Sequence, residues 1–209
     1  NGLAHELRNP LTVIGAYVRR LARERADRSD KWEEALGGIY SSIRRIETMI
    51  ERVEGYERLV NMQPCLTHVD LRPVVENVLK GIGPDVVVRL DSPGSLVALA
   101  DEEHVRTALS RIVENAVQTG TREIHVSLGQ DGTYAYVSVR DFGPGVRDKV
   151  QTILAPFFST DPMRIGLGLT EARIAMVKIM GELEVVRQAQ PGAVFTLKLL
   201  LDSRRSERS

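Results

Sequence analysis

Cysteine is almost missing: Cys65 is the only one in 209 residues. No intrachain disulfide can form, and no Cys/His cluster has zinc-like spacing, so a reducing compartment is the natural reading and Cys65 is expected to serve packing. An excess of either charge is missing too. Lys+Arg and Asp+Glu both number 28, which removes the general electrostatic argument for a nucleic-acid or anionic-membrane partner; any phosphate must be held by a local site. Aromatic residues make up 5%, too few for base-stacking platforms. The longest apolar stretches, such as Leu96 to Ala100 and Leu199 to Leu201, fall far short of the roughly 20 residues of a membrane span, and no signal peptide opens the chain. We therefore expect a soluble segment with no nucleic-acid partner and no membrane contact of its own. The start at Asn1-Gly2, without Met and inside a helical pattern, suggests a portion of something longer.

What is present is enough apolar residue for a core, 43% against 27% charged, in a length that suits one large or two small domains. Leu3, Leu7, Leu11, Ile14, Val18 and Leu21 alternate spacings of four and three, one stripe on a helix. After a polar break at residues 25–30, where Ser29 or Asp30 can cap, the rhythm returns in Trp32, Leu36, Ile39, Ile43, Ile46, Ile50 and Val53. This is a helical hairpin with narrow heptad-type stripes, which predicts pairing with a second copy into a four-helix bundle. A coiled-coil spacer without chemistry fits the periodicity equally well.

From about Asn61 the texture changes. Strands are expected at Cys65 to Val69, Val86 to Leu90, Leu96 to Ala100, Ile124 to Leu128, Tyr134 to Arg140, Leu183 to Arg187 and Val194 to Leu200, with an Asp131-Gly132 hairpin turn. Helices are expected over Leu71 to Leu79, from a cap at Asp101 to Val117, and from Gly166 to Met180. Asp141 to Ile165 reads as a long irregular, mobile segment of the kind that carries function. The fold class is α+β: an N-terminal helical hairpin over 1–60, an α/β sandwich with helices on one face of a mixed sheet over 61–202, and a charged tail over 203–209.

Four clusters could carry chemistry. In Ala4-His5-Glu6-Leu7-Arg8-Asn9-Pro10-Leu11, His5 and Asn9 share a helix face, and Glu6 is a carboxylate beside an imidazole that could act as nucleophile. On the Asp101 helix, Val105, Leu109, Ile112, Val113 and Ala116 form the core face, while His104, Thr107, Arg111, Asn115 and Gln118 line the other. The Asn115 amide oxygen suits Mg²⁺ on nucleotide phosphates. Asp141-Phe142-Gly143-Pro144-Gly145 and Gly166-Leu167-Gly168-Leu169 let the backbone approach a ligand, the second at a helix N-terminus that favours phosphate. No Walker-type or Rossmann-type glycine loop is present.

In this order, with Pro156-Phe157-Phe158-Ser159-Thr160 between the glycine clusters, the chain resembles the H, N, G1, F and G2 boxes of sensor histidine kinases over nearly its whole length. The resemblance implies a dimerisation and phosphotransfer hairpin followed by an ATP-binding domain shared with gyrase, Hsp90 and MutL. It implies that His5 accepts the γ-phosphoryl group of ATP, Glu6 orients and deprotonates it, and Asn9 positions water for dephosphorylation of the partner. Asn115 would hold Mg²⁺, Asp141 the adenine amino group, and Gly166 and Gly168 the phosphates, under a lid spanning Val146 to Ile165. Gly143, Gly145, Phe158, Thr160, Leu167 and Leu169 complete the implied nucleotide site. A homodimer, a response-regulator receiver domain as partner, and a cytoplasmic location, free or as part of a membrane-bound sensor, follow from the same resemblance. Arg111 stands where an asparagine is common, Gln118 where a cation is, Arg164 at a glycine position and Ala193 at a threonine position. Arg111 or Arg164 is expected to supply the missing cation. The alternative is a dimeric scaffold with a degenerate ATP-binding domain. A gyrase-type ATPase is disfavoured, because Arg111 stands one turn before Asn115 where a water-activating glutamate would be.

Overall fold

The computed structural model describes residues 2–23, 30–92, 94–146, 148–161, 164–187 and 191–201. Ser29 as a cap and the charged tail after Leu201 lie outside them. The chain divides into two compact units, Asn1–Arg58 with Ser159–Ile165, and Leu59–Phe158 with Gly166–Ser209.

The first unit is built on α1 (Gly2–Arg23) and α2 (Asp30–Asn61). Its inner contact is a seam that includes small residues. On α2 the buried residues recur every seventh position as Ala35, Ser42 and Met49. Gly38 joins this seam: a Cβ there would overlap the Tyr17 ring, so a small residue lets the aromatic side chain of α1 lie against the α2 backbone. Ser42 Oγ returns its hydroxyl to Gly38 O at 2.8 Å. Of the stripe residues, Leu11 at 57%, Val18 at 51% and Ile50 at 49% are exposed, while Ile14, Leu36, Ile39, Ile46 and Val53 are half-buried. Small residues permit close helix approach, which is why the contact within the hairpin runs along this seam and not along the stripes assigned to a second copy.

The second unit contains β1 (Thr67–Asp70), α3 (Leu71–Leu79), β2 (Val87–Asp91), β3 (Val97–Ala100), α4 (Glu102–Gln118), β4 (Glu123–Asp131), β5 (Tyr134–Asp141), α5 (Val150–Ile153), α6 (Gly168–Lys178), β6 (Glu182–Arg187) and β7 (Ala193–Leu200). The main sheet runs β2-β4-β5-β7-β6. β2 is parallel to β4 and the other neighbours are antiparallel, so the sheet is mixed, as the pattern implied. Alternation aims Ile124, Val126 and Leu128 of β4, Ala135, Val137 and Val139 of β5, and Phe195, Leu197 and Leu199 of β7 to one face, where all are buried. They meet Val105, Leu109, Ile112, Val113 and Ala116 of α4 and Ala172, Ala175 and Met176 of α6 in one core cluster. At about 1.5–3 kcal/mol for each large buried side chain, this layer sets where both helices lie. A separate antiparallel pair, β1 with β3, was not foreseen: four-residue strands carry too little pattern to reveal a partner.

Two aspartates fasten this unit locally. Asp70 caps α3, accepting from the Arg72 and Leu96 N–H groups and from Ser95 Oγ at 2.7 Å. Asp101 caps α4 and binds the backbone N–H of Cys65 at 2.8 Å. His104 was expected on the polar face of α4, but it is fully buried with Nδ1 2.9 Å from Asp101 Oδ1. It sits in the first turn, where the capping carboxylate draws the ring inward. The segment Val60 to Pro64 is also held. Leu59 is buried in the core, Lys178 Nζ donates to Met62 O at 2.7 Å, and the Cys65 N–H is tied to Asp101.

Burial pushes the Asp101 carboxyl up, but hydrogen bonds from His104 and the Cys65 N–H outweigh it and hold the group below its usual value of 3.8. Asp101 therefore stabilises the fold above that pH, and this contribution is lost as pH falls through the lowered folded-state value. Asp101→Ala removes a helix cap, a tether and the partner of a buried imidazole together. Chemical denaturation at neutral pH should show a loss of about 2 kcal/mol or more, with the gap to wild type closing below pH 3.8.

Candidate functional site

α4 places Asn115 half-buried at its C-terminal half, and the same helix reaches two neighbours that carry the other candidate residues. At its C-cap, Thr119 packs against the Asp141 turn: a Cβ on Gly143 would lie 2.6 Å from Thr119 Oγ1. One turn before Asn115, Arg111 Nε lies 2.5 Å from Glu171 Oε2 in the first turn of α6. Asn115 thus stands between the Asp141 turn and the head of α6.

Asp141 ends β5 and is 3% exposed. Its Oδ1 accepts the Gly143 N–H at 2.9 Å. Desolvation by burial raises its pKa above the ordinary 3.8, opposed by the backbone N–H groups of Gly143 and Ala193. A buried carboxylate with acceptor capacity remaining is suited to a donor arriving from a ligand. Thr121, which the sequence did not single out, braces this turn: it is buried, it donates to Glu123 O at 2.7 Å, and it accepts the Phe142 N–H at 3.1 Å. The Phe142 ring lies 4.8 Å from Arg140 and 4.8 Å from His125 by centroid distance. Gly145 abuts Gly192, whose carbonyl oxygen a Cβ would meet at 2.8 Å.

At the other cluster the helix begins two residues later than expected, at Gly168, with Leu167 as a cap that offers no side-chain hydrogen bond. The N–H groups of the first turn are therefore not capped by a side chain. Gly166 has φ +72°, and a Cβ there would overlap the carbonyl of Phe158, so this position admits glycine alone. Gly168 is different: a Cβ would meet nothing within 4 Å. Leu167 is 2% exposed and Leu169 packs on the core, so both bury their side chains. Thr170 Oγ1 donates to Leu154 O at 3.2 Å. The stretch read as irregular contains the helical turn α5, and Val146, Val150, Ile153 and Leu154 pack in or on the core.

The expected replacement cations face carboxylates. Arg111 Nη1 lies 3.0 Å and 3.2 Å from the Glu114 oxygens, and its Nε is on Glu171. Arg164 Nε pairs with Asp161 Oδ2 at 2.9 Å. Arg164 and Thr160 lie in the 159–165 stretch, which belongs to the helical unit, whereas Arg111, Asn115, Gln118, Asp141, Phe158 and Gly166 belong to the other. Gln118 is exposed near the end of α4. His5, Glu6 and Asn9 all lie on α1. Glu171 was missed as well. The signal available was a glutamate among residues that otherwise bury, Ala172, Ala175 and Met176.

Residues 1–61 match the His Kinase A (phospho-acceptor) domain, and residues 100–203 match the histidine kinase-, DNA gyrase B-, and HSP90-like ATPase domain. The chain belongs to the histidine kinases. It is 24% identical to Sporulation kinase C of Bacillus subtilis over 97% of the chain and 48% of that protein. To AtoS of Escherichia coli K12 it is 31% identical over 95% of the chain and 34% of that protein. It thus spans about half the length, or less, of these relatives. Among solved structures, Acinetobacter baumannii histidine kinase AdeS matches with TM-score 0.69 at 20% identity, covering 95% of this chain and 98% of that one. Histidine kinase ThkA, in complex with response regulator protein TrrA, matches with TM-score 0.72 at 22% identity, covering 97% and 60%. These likenesses show the fold of a histidine kinase core.

In this histidine kinase the glycines of the second cluster make unequal demands on the fold. Gly166→Ala should destabilise the ligand-free protein by about 2 kcal/mol, read by denaturant unfolding, because a left-handed backbone and a carbonyl both oppose a methyl group. Asp141→Asn should raise the melting temperature of the ligand-free protein at neutral pH. The raised carboxyl pKa means that the charged form costs stability there, a cost relieved as pH falls through the folded-state value.

Proposed function

We propose that the chain is the kinase core of a two-component system: it binds ATP in its α/β unit, phosphorylates His5, and passes the phosphoryl group to an aspartate of a response-regulator receiver domain. The observation that carries this reading is the joint match of a phospho-acceptor domain, with His5 on α1, and an ATPase-type domain in one chain. The Gly166–Leu169 turn supports it, with uncapped helix N–H groups and open space over Gly168.

In the transfer, a ring nitrogen of His5 attacks the γ-phosphorus. The N–P bond forms as the bridging P–O bond breaks, ADP leaves with the electron pair, and the proton on the other ring nitrogen passes to Glu6. Asp141 accepts the adenine amino group, and the N–H groups around Gly166 and Gly168 take the phosphates. Such transfer rests on alignment and charge neutralisation, so little covalent chemistry is asked of the protein. Asn115 would hold Mg²⁺, which supplies neutralisation at the phosphates. Its single amide oxygen fits an ion that keeps water and phosphate ligands. The adjacent Arg111 charge is matched by Glu171 and Glu114, which leaves the locality tolerant of a cation. In the reverse sense Asn9 would position water for dephosphorylation of the partner.

The exposed Leu11, Val18 and Ile50 support a homodimer, since covering half of each such side chain returns about 1 kcal/mol. No helix among the described residues is long and apolar enough to cross a membrane, in keeping with a cytoplasmic kinase segment. ThkA, whose solved structure contains a response regulator, supports a receiver domain as partner.

Incubation with γ-labelled ATP and Mg²⁺ should leave acid-labile, alkali-stable label on the protein and none on His5→Ala; label that survives the substitution would remove His5 from the reaction. Gly168→Ala gives a second test, because alanine is the better helix former by about 1 kcal/mol and has room in the ligand-free fold. Its melting temperature should hold or rise while ATP affinity falls. Unchanged affinity would mean that no phosphate approaches this turn. The engagement of both Arg111 and Arg164 by carboxylates favours one second reading, a dimeric scaffold with a degenerate ATP-binding domain, and calorimetric titration with ATP·Mg²⁺ giving no binding heat would select it.

A further inference from the structure

Glu171 is 1% exposed, in a helix whose other inward residues are Thr170, Ala172, Ala175 and Met176. A carboxylate so placed needs a cation, and Arg111 of α4 supplies it with Nε at 2.5 Å from Oε2. The same guanidinium reaches Glu114 through Nη1 at 3.0 Å, so its planar fork is fixed by one partner on its own helix and one on the neighbouring helix. On the α6 side, the Glu171 N–H donates to Leu167 O at 2.8 Å, closing the first helical turn. Gly166, Leu167 and Gly168 therefore move with Glu171. On the α4 side, Asn115 lies one turn beyond Arg111, on the same face.

We propose that Arg111 is a positioning residue: by clamping Glu171 it holds the glycine turn of α6 in register with Asn115, and it does not contact nucleotide phosphate itself. The proposal rests on the nucleotide-site reading above. Its consequence is specific. If a fixed helix-to-helix distance is what the site requires, an apolar pair of similar volume can replace the ion pair, whereas removing one partner leaves the other charge buried and uncompensated. If instead the positive charge serves the phosphates, no apolar substitute can work.

The test is a double-mutant cycle in the whole chain with Arg111→Met, Glu171→Leu and both together, reading melting temperature and the affinity for ATP·Mg²⁺ by titration. Arg111→Met alone should lower the melting temperature and weaken ATP by roughly tenfold or more, the size of coupling seen between residues in contact. The double variant should recover both, with affinity within about threefold of wild type. A double variant that melts like wild type but binds ATP as weakly as Arg111→Met would overturn the proposal and make Arg111 a phosphate ligand. A single variant that loses thermal stability but keeps full affinity would overturn it in the other direction, leaving the pair with no part in the site. Should the singles prove too unstable to purify, wild type against the double variant decides by itself. Wild type that binds no ATP would fail the nucleotide-site reading, whereas a cycle that fails in a nucleotide-binding wild type fails the clamp alone.

Discussion

The apolar layer between the five-stranded sheet and the helices α4 and α6 determines where nearly every candidate nucleotide contact stands. β4, β5 and β7 offer it a flat face of Val, Ile, Leu and Phe side chains, and α4 answers with Val105, Leu109, Ile112, Val113 and Ala116. Once α4 lies on that face, Asn115 is left half-buried at its edge, Thr119 meets the turn after β5, and Arg111 meets α6. The polar site is thus a by-product of apolar packing, with side-chain hydrogen bonds and one buried ion pair making the last adjustments.

Equal numbers of acidic and basic residues are compatible with the proposed phosphate site, which does not depend on excess positive charge. Backbone N–H groups at an uncapped helix start, a left-handed glycine and one amide oxygen are placed by geometry. The two arginines expected to serve a phosphate are matched against carboxylates, Arg111 with Glu171 and Glu114 and Arg164 with Asp161. On the adenine side of the proposed site, the buried Asp141 is a carboxylate that carries a desolvation cost in the ligand-free protein. Such costs at ligand-facing groups are offset by the core around them.

Much of this was legible beforehand. The helix Leu71 to Leu79 was read with its observed bounds, and Asp101 was identified as the α4 cap, because local capping chemistry and period are properties of a short stretch. The five core positions on α4 followed from 100° per residue. What escaped were pairings between distant residues. The β1–β3 ladder, the buried partner of Asp101 in His104, the brace from Thr121 to Phe142 and the ion pair of Arg111 with Glu171 each join positions that no periodicity connects. In the hairpin the stripes were read for pairing with a second copy, and the contact within the chain, where Gly38 lets the Tyr17 ring approach, was not foreseen.

By itself the sequence determined the α+β class and most of the order of elements, α5 excepted, because these depend on period, turn residues and capping groups within about one helix length. Only the tertiary structure decided which charges are available to a ligand and which are neutralised internally. Arginine reads the same in a sequence whether it faces solvent, a phosphate or a carboxylate sixty residues away. Its partner is chosen by how two helices settle on a sheet, and that is decided by the summed packing of the whole core.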